Sequence, residues 1–214
     1  MPLMPHVSPL LAMTWSFTID ARAVGLVRDV ALDKALGTAF AFIKPHWYIT
    51  AKHVVVDYGQ VREKLAVIVD KEPPTQARVL FVHPELDLAV LELSRPICER
   101  PLFPGHHALA GTNGLLAAGY APSKTHPNGG PVVYLTKIPS FEVQVRERAS
   151  LNEETILFTA QESEGGHSGG PIFGPGGGVV GAIVESFRDG QRLVARGTSL
   201  IPLVDSLAFV PTGG

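Results

Sequence analysis

A single cysteine, Cys98, occurs in 214 residues, so no disulfide can close within the chain. Whatever stabilises the fold works in a reducing compartment, and a cytoplasmic location is the expectation. Charge is also scarce, at 18% of residues against a usual quarter or so. Lys and Arg number 18 against 20 Asp and Glu, with no basic run, which leaves no positive field for a phosphate backbone and argues against a nucleic-acid partner. Long apolar runs are missing too. Stretches such as Val54-Val55-Val56 fall far short of the roughly 20 residues that span a bilayer, so no membrane partner is expected. The first residues carry Pro2, Pro5 and Pro9 and no positive n-region, and they read as an unstructured leader over 1–23 rather than a signal peptide.

What remains is apolar and punctuated. Hydrophobic residues make up 45% of the chain, and 22 Gly and 18 Pro occur with no collagen-like period, which points to a globular protein of many turns. Strand signals recur in short pieces over 24–30, 37–43, 47–50, 65–69, 77–82, 88–93, 114–119, 132–138, 155–159, 179–185 and 193–199. The clearest is Phe141-Glu-Val-Gln-Val-Arg146, whose alternation turns Phe141, Val143 and Val145 to a core and the polar residues to water. The Pro- and Gly-rich stretch between Leu93 and Gly114 divides these strands into two groups. The expectation is an all-β domain over 24–210 of two antiparallel barrels, about 24–100 and 112–200. Leu203, Val204, Leu207 and Ala208 share one helical face and predict a short C-terminal helix over 201–209.

The segment Glu164-Gly-Gly-His-Ser-Gly-Gly-Pro171 embeds a serine in glycines. Glycine is needed where backbone must approach something closely, and acyl transfer has that need: backbone N–H groups must converge on a developing oxyanion. Ser168 is the candidate nucleophile, with the N–H groups of Gly166 and Ser168 as oxyanion donors. A Gly-rich hairpin turn with an incidental serine is the alternative. Serine needs a general base and an orienting group. His53, in Thr50-Ala-Lys-His53-Val, follows the apolar strand Trp47-Tyr-Ile and is the candidate base. Asp87, in Leu86-Asp87-Leu-Ala-Val-Leu91, leads into an apolar strand where a carboxylate is costly unless hydrogen-bonded, and it is the candidate orienting acid. Asp57 and Asp70 are rivals that lead no apolar strand. No Cys or carboxylate stands at metal-ligand spacing around His46, His106, His107 and His126, which read as loop residues, and neither a metal nor an organic cofactor is expected.

Taken in order, Gly37-Thr-Ala-Phe-Ala-Phe-Ile, Ile49-Thr-Ala-Lys-His53-Val, Asp87-Leu-Ala-Val-Leu and Gly166-His-Ser168-Gly-Gly-Pro resemble the trypsin-like, chymotrypsin-fold serine peptidases, whose chain order is His, Asp, Ser. His83-Pro-Glu-Leu-Asp87-Leu-Ala-Val, Gly119-Tyr-Ala-Pro and Thr198-Ser-Leu-Ile-Pro202 resemble the bacterial HtrA-type branch, with the expectation that the PDZ domain of that branch is missing. The resemblance implies a serine endopeptidase acting on protein or peptide substrates, a double barrel with the triad in the cleft, and substrate main chain pairing with Val184-Glu185-Ser186. It also places Glu162 at the base of the primary specificity pocket, which implies a preference for Arg or Lys before the scissile bond, with Glu164 and Glu185 as neighbouring acids. His167 stands where zymogen-type relatives carry an aspartate, so activation by a new N-terminus is not expected. A regulatory protein partner is a further expectation, and a catalytically silent peptide-binding module is the alternative function.

Overall fold

The computed structural model describes residues 20–69, 72–105, 115–125, 131–138, 144–148, 153–159, 166–174, 176–189 and 192–207. The expected leader falls mostly outside them, but its last residues do not. Asp20 caps a 3-10 turn, Ala21–Ala23, by accepting the Arg22 N–H at 3.0 Å, and Ala23 is wholly buried, so the packed domain begins before residue 24.

The first half is a closed barrel of six antiparallel strands: β1 (Val24–Asp29), β2 (Lys34–Phe42), β3 (Lys44–Thr50), β6 (Leu65–Ile68), β7 (Thr75–Val82) and β8 (Ala89–Leu93). Between β3 and β6 lie α1 (Lys52–Val55) and a small hairpin of β4 (Val56–Asp57) and β5 (Gln60–Val61). These pieces, two to four residues long, are too short to leave a periodic signal in the sequence. Closure comes from β1, which pairs with β2 on one side and with β6 on the other, Leu26 opposite Ile68. Phe40, Tyr48, Ile49, Leu65, Leu88 and Leu91 are all buried, with Phe40 and Ile49 on one face of the sheet and Tyr48 and Leu91 on the other. Closing the sheet removes exposed strand edges.

The second half is a seven-stranded antiparallel sheet in the order β10 (Pro131–Ile138), β9 (Leu115–Thr125), β13 (Pro171–Phe173), β14 (Val179–Asp189), β15 (Arg192–Ser199), β12 (Glu153–Thr159) and β11 (Gln144–Arg148). Its end strands β10 and β11 are consecutive in the chain, and the residues joining them, with Phe141 and Val143, lie outside the described part. Leu115, Ile156, Ile172, Val180, Ile183 and Ala195 form its apolar cluster. Helix α2 (Ile201–Leu207) buries Leu203 and Leu207; the remainder of the helix expected to residue 209 is not among the described residues. The molecule is therefore all-β, two antiparallel bodies with a short C-terminal helix, as the sequence implies.

The irregular stretch after β8 stitches the bodies together. Leu102 bridges to Phe42 of β2, and Pro104 bridges to Val179 of β14. Tyr120 of β9 reaches across the joint and donates its hydroxyl to Val24 O of β1 at 3.0 Å.

Candidate active site

Strand β3 ends at Thr50, and the chain turns at once into α1, which carries His53 one residue past the helix start. The turn is held from outside, because the Lys52 N–H donates to Asp87 O at 3.2 Å. Asp87 itself sits on the turn that feeds β8. His53 Nδ1 lies 2.7 Å from Asp87 Oδ2, and the His53 backbone N–H donates to Asp87 Oδ1 at 2.9 Å. Both carboxylate oxygens are thus spent on one residue, which fixes the ring and its Nδ1–H tautomer. Burial raises the Asp87 pKa, but the His53 hydrogen bonds and the nearby imidazole outweigh it, and the carboxyl is held below the usual carboxylate range. The His53 side chain is half exposed, with Nε2 left to work.

The Asp87 turn has its own scaffold, which the sequence did not reveal. Buried His83 uses Nδ1 to accept the N–H groups of Glu85 and Leu86, at 3.2 and 3.0 Å, as an aspartate would in a tight turn. Lys52 Nζ donates to His83 O at 3.1 Å and ties this turn back to the helix of His53.

Ser168 arrives from the second body, between β12 and β13. Gly169 has a φ of +86°, and a Cβ there would collide with Thr38 O and Thr50 Oγ1 and lie 2.9 Å from Ala51 N. Only glycine allows this approach. It seats the residue after Ser168 on Thr50 and Ala51, the two residues that lead into α1 and His53. The Ser168 turn is further fixed by Thr38 N–H donating to Ser168 O at 2.8 Å, by Gly170 N–H donating to His167 O at 2.8 Å, and by Gly169 N–H donating to Ile183 O at 2.6 Å. Among the described residues, no acceptor takes the N–H of Gly166 or of Ser168. His167 is buried, its ring close against Gly119 of β9.

The three residues of β14 expected to bind substrate, Val184, Glu185 and Ser186, are placed beside this turn. Ile183 pairs with the turn through Gly169 and Gly170, after which β14 continues against β15 while β13 has ended. Val184 forms a bulge opposite Gly197 and Arg196 and is buried, whereas Glu185 and Ser186 are exposed. The Glu185 carboxylate pairs with Arg196 at 3.0 Å, which commits this acid to a partner of the same hairpin. Glu162 and Glu164 lie outside the described residues, as do Asp70, His106, His107 and His126; Asp57 is held by Arg62, and His46, expected in a loop, lies instead within strand β3, where it packs edge-on against Trp47. No group of three or more metal-ligating side chains occurs among the described residues, and no described helix is long and apolar enough to cross a membrane.

Residues 37–181 match the family profile of the trypsin-like peptidase domain, and that span holds all three candidate triad positions. No curated protein matches the chain in sequence. Among solved structures, the Rv3671c protease from M. tuberculosis in its active form is 20% identical, with a TM-score of 0.66 over 91% of this chain and 83% of that one. The HtrA-type protease AlgW with a decapeptide is 18% identical, with a TM-score of 0.62 over 89% of this chain and 64% of that one. The serine endoprotease from Yersinia pestis is 20% identical, with a TM-score of 0.57 over 87% of this chain and 61% of that one. These likenesses are likenesses of fold, and they agree with the two-body architecture. On the strength of the profile match across most of its length, the chain belongs to the trypsin-like peptidase family of serine endopeptidases.

Proposed function

We propose that this endopeptidase works through Ser168, His53 and Asp87. The His53 to Asp87 hydrogen bond at 2.7 Å is the observation that carries the reading, because it engages Nδ1 with the carboxylate and leaves Nε2 to face the serine. Ser168 Oγ attacks the peptide carbonyl carbon while His53 Nε2 takes its proton. The tetrahedral oxyanion forms against the N–H groups of Gly166 and Ser168. His53 then gives the proton to the departing amine, leaving an acyl-enzyme on Ser168, and water repeats the sequence to free the acid. Asp87 stays ionised throughout and stabilises the imidazolium.

Substrate main chain adds alongside β14 at Val184, Glu185 and Ser186, where β13 has given way to the serine turn. Glu162 serves as the pocket acid, so Arg and Lys are the preferred residues before the scissile bond; the pairing of Glu185 with Arg196 supports Glu162 over Glu185 in that role. His167 in place of an acidic residue supports competence without N-terminal cleavage. Cytoplasmic action belongs to the same proposal, supported by a fold that leaves Cys98 unbridged. Regulation by a protein partner is kept as part of it.

A fluorophosphonate probe followed by peptide mapping tests the proposal directly. The label is expected on Ser168, and it is lost in Ser168→Ala and His53→Ala. A label on another residue, or peptide hydrolysis by Ser168→Ala at the parent rate, would overturn it. Peptide-library profiling of the parent and of Glu162→Ala tests the pocket separately.

A further inference from the structure

Thr38 is wholly buried at the joint between the two bodies, and every polar atom it owns crosses to another segment. Its hydroxyl donates to Gly166 O at 2.6 Å and accepts the Tyr120 N–H at 2.9 Å. Its backbone N–H donates to Ser168 O at 2.8 Å, and its carbonyl accepts from Thr50 Oγ1 at 2.7 Å. One residue of the first barrel thereby holds the nucleophile turn, strand β9 of the second body and the end of the strand that leads to His53.

The carbonyls of Gly166, His167 and Ser168 are all taken, by Thr38 Oγ1, Gly170 N–H and Thr38 N–H respectively. A peptide group is planar and trans, so a carbonyl fixed toward the interior sends the N–H of the same peptide the other way. The His167 carbonyl fixes the Ser168 N–H by this logic. The peptide after Gly166 is different: Gly166 has a φ of +127°, a region in which glycine turns freely, and its carbonyl is held by the Thr38 hydroxyl. Were that hold released, the oxygen could turn toward the place where negative charge develops, and repel it.

We propose that Thr38 is a positioning residue for the oxyanion site, its hydroxyl keeping the Gly166 carbonyl on the interior side of the nucleophile turn. This rests on the assignment of Ser168 and its neighbouring N–H groups given above. Valine has nearly the shape of threonine but neither donates nor accepts, so Thr38→Val leaves both the Gly166 carbonyl and the Tyr120 N–H without their partner. Serine keeps the hydroxyl and loses one methyl.

The test compares Thr38→Val, Thr38→Ser and the parent in steady-state hydrolysis of a peptide substrate and in binding of two ligands: a peptide aldehyde, which forms the tetrahedral adduct, and the corresponding product carboxylate. Thr38→Val is expected to lose about 30- to 100-fold in kcat, somewhat less than deletion of an oxyanion donor itself, with KM changed less than about threefold. Aldehyde affinity should fall in parallel while product affinity holds, and Thr38→Ser should recover kcat to within about fivefold of the parent. If Thr38→Val does not fold, Thr38→Cys, whose thiol is a poor donor in the same place, carries the same expectation. An unchanged kcat in a folded variant, equal losses for aldehyde and product, or failure of Thr38→Ser to recover activity would overturn the role of Thr38. A parent enzyme that fluorophosphonate does not label at Ser168 would overturn the nucleophile assignment instead.

Discussion

Gly119 and His167 touch so closely that a Cβ on Gly119 would lie 2.8 Å from the imidazole Cδ2 and 3.1 Å from the His167 Cα. The ring could swing aside, but the Cα belongs to the nucleophile turn. Gly119→Ala must therefore move backbone next to Ser168. A loss of about 1–3 kcal/mol in stability is expected from such overpacking, read by urea unfolding on a Ser168→Ala background, together with a fall in kcat in the otherwise intact enzyme. Full activity in Gly119→Ala would mean that the turn tolerates displacement.

Asp87 links the site to acid stability. Its carboxyl is held below the ordinary range in the folded state, so the stabilisation it brings is present above the unfolded carboxyl value of about 3.9 and disappears as pH falls through the lower folded value. Asp87→Asn should accordingly be less stable than the parent at neutral pH, with the gap closing in acid below about pH 4 when melting temperatures are compared on a Ser168→Ala background. Its kcat should fall by about three to four orders of magnitude, because the amide favours the wrong imidazole tautomer. A stability gap that is constant from pH 7 to pH 3 would contradict the ionised pairing.

The His83 imidazole serves as a hydrogen-bond acceptor for two backbone N–H groups. Replacing it by Phe keeps the ring volume and leaves the Glu85 and Leu86 N–H groups without that acceptor, so the Asp87 turn should loosen and kcat should fall by about tenfold. His83→Asn puts an amide oxygen near the place of Nδ1 and should retain most of the activity. The two variants measured side by side decide the matter; equal activity would remove His83 from the scaffold of the acid.

Cys98 tests the chemistry by exclusion. It is buried, and burial pushes its thiol up to about 11. A thiol in that state is a poor nucleophile near neutral pH. Iodoacetamide should leave both mass and activity of the native enzyme unchanged and should modify Cys98 once the chain is unfolded in urea. Inactivation of the native enzyme by alkylation would point to a thiol near the cleft.

The sequence showed the strands of the first barrel because β1, β2, β3, β6, β7 and β8 are long enough to leave a pattern of apolar residues bounded by turns. It missed β13, where three residues between glycines carry no period, and it ended β9 and β14 too early, since both continue beyond the apolar run into polar residues. His53 and Asp87 were legible as residues, through the motifs around them, and their partnership is visible only in the folded chain. Thr38 and His83 could not be found that way. A threonine in an apolar strand and a histidine before a proline are ordinary sequence features, and their roles arise from backbone groups brought to them by distant segments.

Those distances along the chain shape how the enzyme comes into being. The bond between His53 and Asp87 spans 34 residues, whereas Thr38 meets Gly166 across 128. Contacts of such long range form late, after the loop between them has been closed, and a chain emerging from the ribosome folds its leading portion first. The first barrel can complete its histidine and aspartate before the serine has been synthesised. With Ser168 as the proposed nucleophile, the growing polypeptide is expected to be inert toward itself and its neighbours, and hydrolytic capacity to appear only when the trailing half docks onto Thr38. In refolding from urea, the appearance of turnover should lag behind the burial of Trp47 in the first barrel.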